Sequence, residues 1–239
     1  MPDMSLGAVH GGSSSLNAYR ARPAGAGPFP AVVAIHEAFG LDDNVRMQAD
    51  RLAAAGYLTL APDLYSDGGA RKCIISTFRA MATGKGKAIA DIDASRQALL
   101  ADPDCNGKVG IIGFCMGGGF ALVTSTRGFD VAAPNYGMVP RNAEKALEGA
   151  CPIVASYGGS DAMMIGMPKK LEKALTTLGI EHDVKSYPGV GHSFLNLTTD
   201  VGPKPLRPLM RVSGVKPNPE AAADAWQRIE AFFAEHLSA

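Results

Sequence analysis

The pentapeptide Gly113-Phe114-Cys115-Met116-Gly117 is the segment best suited to chemistry. It lies between an apolar run and a small-residue helical stretch, and a nucleophile on a sharp strand-to-helix turn needs glycine on both sides. Such a turn lifts the side chain to the top of a sheet. It also leaves the Met116 amide free at a helix N-terminus, where it can bind an oxyanion. A helix N-terminus lowers a thiol pKa from about 8.5, which favours the nucleophilic thiolate. Taken alone, the pentapeptide also reads as a glycine-rich packing turn holding an inert cysteine.

Two later segments repeat the placement. Ile153–Tyr157 reads as a strand that runs into Gly158-Gly159-Ser160-Asp161, and Val184–Tyr187 runs toward Gly189-Val190-Gly191-His192. Each puts an ionisable residue just beyond a strand's carboxyl end, the edge where sites of parallel sheets gather. His192 can hold a thiolate as an ion pair or take its proton, and Asp161 can fix the imidazole tautomer. Glu37, at the end of the apolar run Ala31–His36, is a further candidate, with a surface-loop glutamate as the alternative.

The elements that must position these residues alternate between short apolar runs and amphipathic stretches. Ala31–His36, Tyr57–Ala61, Lys108–Phe114, Val131–Tyr136, Ile153–Tyr157 and Val184–Tyr187 read as strands. Between them, Asp42 and Asp43 cap a helix carrying Val45, Ala49, Leu52 and Ala53 on one face. Further helices are expected over Ala88–Leu100, from Met116 to about Thr126, and over Pro168–Leu178. Residues 70–80 stay ambiguous. A last helix, Pro219–Leu237, sets Trp226, Ile229, Phe233 and Leu237 on one stripe. Residues 203–219 contain Pro203, Pro205, Pro208, Pro217 and Pro219 and read as an extended loop over the active-site mouth, with a passive strap as the alternative. The expected fold is therefore α/β: a mostly parallel central sheet with helices on both faces, in one domain over residues 1–239. Nucleophile, acid and histidine follow in the chain order of an α/β-hydrolase.

Composition narrows the function. Lys plus Arg and Asp plus Glu each total 23, so no net field attracts nucleic acid or an anionic membrane. Residues 109–126 carry no charge, but five glycines interrupt them, and a buried strand followed by a close-packed helix explains them better than a membrane span. The first residues lack a basic-then-apolar leader, so the expected compartment is the cytoplasm. Four scattered cysteines form no CxxC pair and no metal-ligand spacing. Asp102-x-Asp104-x-Asn106-Gly107 starts like a calcium loop, yet Gly113 stands where the bidentate glutamate belongs. No feature specifies an oligomeric state.

With these segments in hand, the chain resembles the dienelactone hydrolase, or carboxymethylenebutenolidase, family. The resemblance rests on His36-Glu37-Ala38-Phe39-Gly40, Ala61-Pro62-Asp63-Leu64-Tyr65, Gly107-Lys108-Val109-Gly110, the Cys115 turn, Gly158-Gly159-Ser160-Asp161 and Gly191-His192-Ser193-Phe194. It implies a Cys115–Asp161–His192 triad, Glu37 beside the thiol as proton acceptor, and oxyanion donors at the Ala38 and Met116 amides. It implies no metal and no organic cofactor. Phe39 and Phe194 fall among the expected substrate contacts. The family's carboxylate-binding arginine, four residues past the histidine, is replaced by Asn196, with Arg71 or Arg79 in the region of a second arginine.

The implied activity is hydrolysis of a small activated ester or lactone through an acyl-enzyme. A thiol is more acidic than an ordinary alcohol, so the tetrahedral intermediate expels thiolate unless the other leaving group is also good. Glutamine-amidotransferase-like folds also carry a cysteine on such a turn, but they leave Asp161 and His192 unexplained. The alternative from another class is a redox-sensing or catalytically idle ligand-binding scaffold.

Overall fold

The computed structural model describes residues 3–198 and 215–238. Its strands are β1 (Asp3–Ser5), β2 (Asn17–Ala21), β3 (Phe29–Ile35), β4 (Leu58–Pro62), β5 (Cys105–Phe114), β6 (Val131–Asn135), β7 (Ile153–Gly158) and β8 (His182–Tyr187). They form one sheet in the order β1-β2-β4-β3-β5-β6-β7-β8. Strands β3 to β8 pair in parallel, while β2 is antiparallel to both β1 and β4. The helices are α1 (Asp43–Ala54), α2 (Ala70–Thr83), α3 (Lys87–Leu100), α4 (Met116–Thr124), the short α5 (Ala143–Ala146), α6 (Met167–Leu178) and the terminal α7 (Pro219–Leu237).

Strand β5 explains the layering. Residues 109–114 are all buried, as expected of a parallel strand covered on both faces. Alternation sends even positions to one side: Gly110 meets Leu237 of α7, and the Phe114 ring packs 6.2 Å from Trp226 of the same helix. Gly113, of opposite parity, meets the start of α4. Helix α1 shares the α7 face, where the Arg51 guanidinium lies 4.7 Å over Trp226 and bonds Glu230. Side chains set both helix starts. Asp42 accepts from the Val45 amide and Asn218 from the Ala221 amide, with Pro219 opening α7.

Four elements were not expected from the sequence pattern: helix α2, the short α5, and strands β1 and β2. Helix α2 fills the ambiguous stretch, whose apolar residues do not fall on one stripe: Thr77, Ala80 and Met81 are buried, whereas Ile75 and Phe78 are exposed. Strands β1 and β2 lie at the sheet edge and carry polar residues, so they lack the apolar run that marks the central strands. Residues 199–214, which include the larger part of the proline-rich segment 203–219, lie outside the described residues. Among the described residues, no helix is long and apolar enough to cross a membrane.

This topology fixes where a site can form. From β3 the chain moves to β4 on one side and then returns to β5 on the other, which opens a crevice at the carboxyl ends of β3 and β5. The crevice closes tightly at its base. A Cβ on Gly117 would stand 2.2 Å from the Ile35 carbonyl oxygen, and one on Gly113 would stand 1.9 Å from the Gly117 carbonyl oxygen. Both obstacles are backbone and cannot rotate away. Gly117→Ala is therefore expected to destabilise the fold by about 1–3 kcal/mol or more, seen as a lower urea midpoint; an unchanged midpoint would contradict this packing.

Candidate active site

Four strand ends deliver the site. Cys115 follows β5 and adopts φ 53° and ψ −111°, a conformation that non-glycine residues rarely take. Glu37 and Ala38 follow β3, Asp161 follows β7, and His192 follows β8. These residues line one cavity of about 810 Å³ together with Phe39 and Met116.

Asp161 and His192 are directly joined. The His192 Nδ1 and Asp161 Oδ2 atoms are 2.5 Å apart in a buried pair, and the second carboxylate oxygen accepts from the Met163 amide. With Nδ1 bonded to the carboxylate, Nε2 is the ring atom left for chemistry. It is buried without a hydrogen bond of ordinary geometry. Burial alone would pull the imidazolium pKa down, but hydrogen bonds and charge from Asp161 and the neighbouring Cys115 outweigh it and raise it to about 10.

Glu37 is held by two polar partners. Ser193 Oγ donates to one carboxylate oxygen at 2.8 Å, and Asn196 Nδ2 reaches the other at 3.4 Å. Burial raises the Glu37 pKa, opposed by His192 and by these two donors. Asn196 therefore does not face substrate. It is buried behind Glu37, and Gln48 Nε2 of α1 donates to its Oδ1.

The remaining expectations separate. Phe39 lines the cavity, while Phe194 is fully buried behind it, stacked between Tyr136 and Tyr187. Arg71 and Arg79 are exposed on α2 and neither lines the cavity; Arg79 borders a separate hollow. The family resemblance placed them in the region of a substrate-binding arginine, but both sit on α2 outside the cavity lining. Val215 lines the cavity, and the chain beside it runs along the histidine loop through the Lys216 amide to His192 and the Asn218 amide to Phe194. The expected cover over the mouth falls mostly on residues 199–214, outside the described residues.

Several supporting residues were not anticipated as such. Buried His36 accepts from the Leu64 amide at Nε2, so Nδ1 carries the proton that it gives to the Glu37 carbonyl at 2.6 Å. Burial holds this ring below the usual histidine range, hence neutral. Tyr65 donates to the Ala38 carbonyl and also reaches Met116 Sδ. Together they brace the loop whose Ala38 amide, like that of Met116, donates to no acceptor among the described residues. Two free N–H groups beside Cys115 form a candidate oxyanion site. A histidine ending an apolar strand was the available signal for His36; nothing in the pattern marked Tyr136 or Ser193. The group with metal-ligand proximity among the described residues, Glu181, Glu235 and His236, lies away from the cavity lining.

A mostly parallel sheet with a strained strand-to-helix turn at its switch point defines an α/β-hydrolase fold. The chain matches the dienelactone hydrolase family over residues 16–237 and belongs to it. A carboxymethylenebutenolidase of Pseudomonas putida is 28% identical over 180 residues, covering 70% of this chain and 75% of the relative. Protein usf of Aquifex pyrophilus is 29% identical over 242 residues, covering 93% and 94%. The solved structure of a dienelactone hydrolase-like promiscuous phosphotriesterase from metagenomic libraries superposes with a TM-score of 0.79 at 23% identity, covering 99% of each chain. The family makes this chain a hydrolase.

The raised His192 pKa links the site to stability. A folded-state value near 10 against 6.5 unfolded means that the imidazolium contribution is full below about pH 6.5 and is lost as pH rises to about 10. The gap in melting temperature between wild type and His192→Ala should accordingly shrink from pH 7 to pH 10. A gap that stays constant across that range would contradict the assignment.

Proposed function

We propose that this chain, read as one domain over residues 1–239, hydrolyses activated esters or lactones through an S-acyl (thioester) enzyme on Cys115. The observation that carries the reading is one cavity holding Cys115 at a helix N-terminus, a buried His192–Asp161 pair and two free amides.

The Cys115 thiolate attacks the carbonyl carbon, forming the S–C bond, while the Ala38 and Met116 amides bind the oxygen that gains charge. The C–O bond to the leaving group then breaks, and that oxygen takes a proton from His192 Nε2. Neutral His192 next accepts a proton from water as the water attacks the thioester. Collapse breaks the C–S bond, releases the acid and restores the thiolate–imidazolium pair. Asp161 keeps Nδ1 protonated throughout and stabilises the imidazolium. In the resting site a proton sits on the Cys115 sulfur: Glu37 accepts it when substrate turns its carboxylate away from Ser193 and Asn196, leaving the thiolate beside the imidazolium, and returns it to the sulfur when product departs. No step calls on a metal or organic cofactor.

Cys115→Ala should lose turnover of an aryl ester by on the order of 10³-fold or more, together with the pre-steady-state burst, while remaining folded. His192→Ala should be comparably inactive and Asp161→Asn less so, because the first removes the base and the second only its orientation. Unchanged turnover in Cys115→Ala would sink the proposal and favour a scaffold or redox role. Equal, mild effects of the other two substitutions would assign them to binding.

A further inference from the structure

We propose that the cavity selects esters whose acyl part is bulky, uncharged and apolar, a substrate class that rests on the hydrolase reading above. A cavity of about 810 Å³ lies toward the upper end of the range for small-molecule sites and far exceeds the need of a compact lactone. Five methionines line it: Met81, Met116, Met138, Met163 and Met164. Phe39, Phe78 and Val215 supply further wall. Thioether side chains are flexible and polarisable, so such a wall adapts to varied apolar groups.

The polar lining is consumed by chemistry. Glu37, Cys115, Asp161, His192 and Ser193 all belong to the reacting group or to its supports, and no lysine or arginine lines the cavity among the described residues. Among the described lining residues the one cation is His192, already bonded to Asp161. A carboxylate on the substrate would therefore meet two acidic side chains and, among the described residues, no free counter-charge, losing its water without a partner there. The same arrangement favours release of product, because hydrolysis converts the neutral ester into an anionic acid.

The mouth has the same character. Phe78, Met138 and Met163 are 38%, 50% and 55% exposed although all three border the cavity, which leaves an apolar rim open to an incoming chain. A long acyl group can bury this rim. An acetyl group cannot reach it.

The test compares kcat/KM, normalised to rates with hydroxide, for 4-nitrophenyl acetate, 4-nitrophenyl octanoate and the mono-4-nitrophenyl ester of octanedioic acid. The octanoate should exceed each of the others at least tenfold. Phe78→Lys, and independently Met163→Lys should the first variant fold poorly, should lower the ratio of octanoate to half-ester at least tenfold. Cys115-dependent hydrolysis that favours acetate or the half-ester, or a ratio unmoved by both lysines, overturns the substrate class and leaves the hydrolase reading standing. No hydrolysis of any of the three, or hydrolysis that survives Cys115→Ala, overturns the hydrolase reading and the substrate class with it.

Discussion

The close backbone approach at the base of the crevice governs the rest of the structure. Gly117 sits against the end of β3 and Gly113 against Gly117 itself, so β3, β5 and the first turn of α4 meet without intervening side chains. That contact forces Cys115 into a conformation with positive φ, which costs of order 1–3 kcal/mol and persists because α4 is packed almost entirely into the core. The strain has a geometric product. It raises the thiol above the sheet and aims the Met116 amide at the same point.

Strain recurs around the site and is rare elsewhere. Cys115, Tyr136 and Ser193 are the non-glycine residues with positive φ among the described residues. Tyr136 stacks edge-on against His192 at 5.0 Å, and Ser193 donates to Glu37. Three strand ends are thus bent so that their side chains converge. Charge is arranged as tightly: two buried acidic groups are set around one imidazole, Asp161 fixed to it and Glu37 restrained by neutral donors. Asn196, itself held by Gln48 of α1, completes that restraint at the position where the family carries its carboxylate-binding arginine.

The strand-to-helix turn at Cys115 and the strand-end places of Asp161 and His192 were readable because each depends on a short local pattern, glycines about a cysteine or an ionisable residue just past an apolar strand. The same holds for α1 and α7, whose caps and stripes are explicit in Asp42 and in Trp226 to Leu237. Strands β1 and β2 were not readable, since β2 is held by pairing with β4 and β1 by pairing with β2, not by apolar content. Side-chain direction was equally hidden. Spacing cannot show that Arg71 and Arg79 leave the cavity, that Phe194 and Asn196 lie behind it, or that Tyr65 ties the Ala38 loop to Met116.

The central claim is that Cys115 carries the acyl group. Rapid acid quench of the protein mixed with an aryl ester, followed by intact-mass analysis and peptide mapping, tests it most directly. The account predicts one acyl group per chain, formed within the burst and located on the peptide containing Cys115, with Asp161→Asn prolonging its lifetime. Multiple turnovers with no acylated species, or an acyl group on a residue other than Cys115, would contradict it.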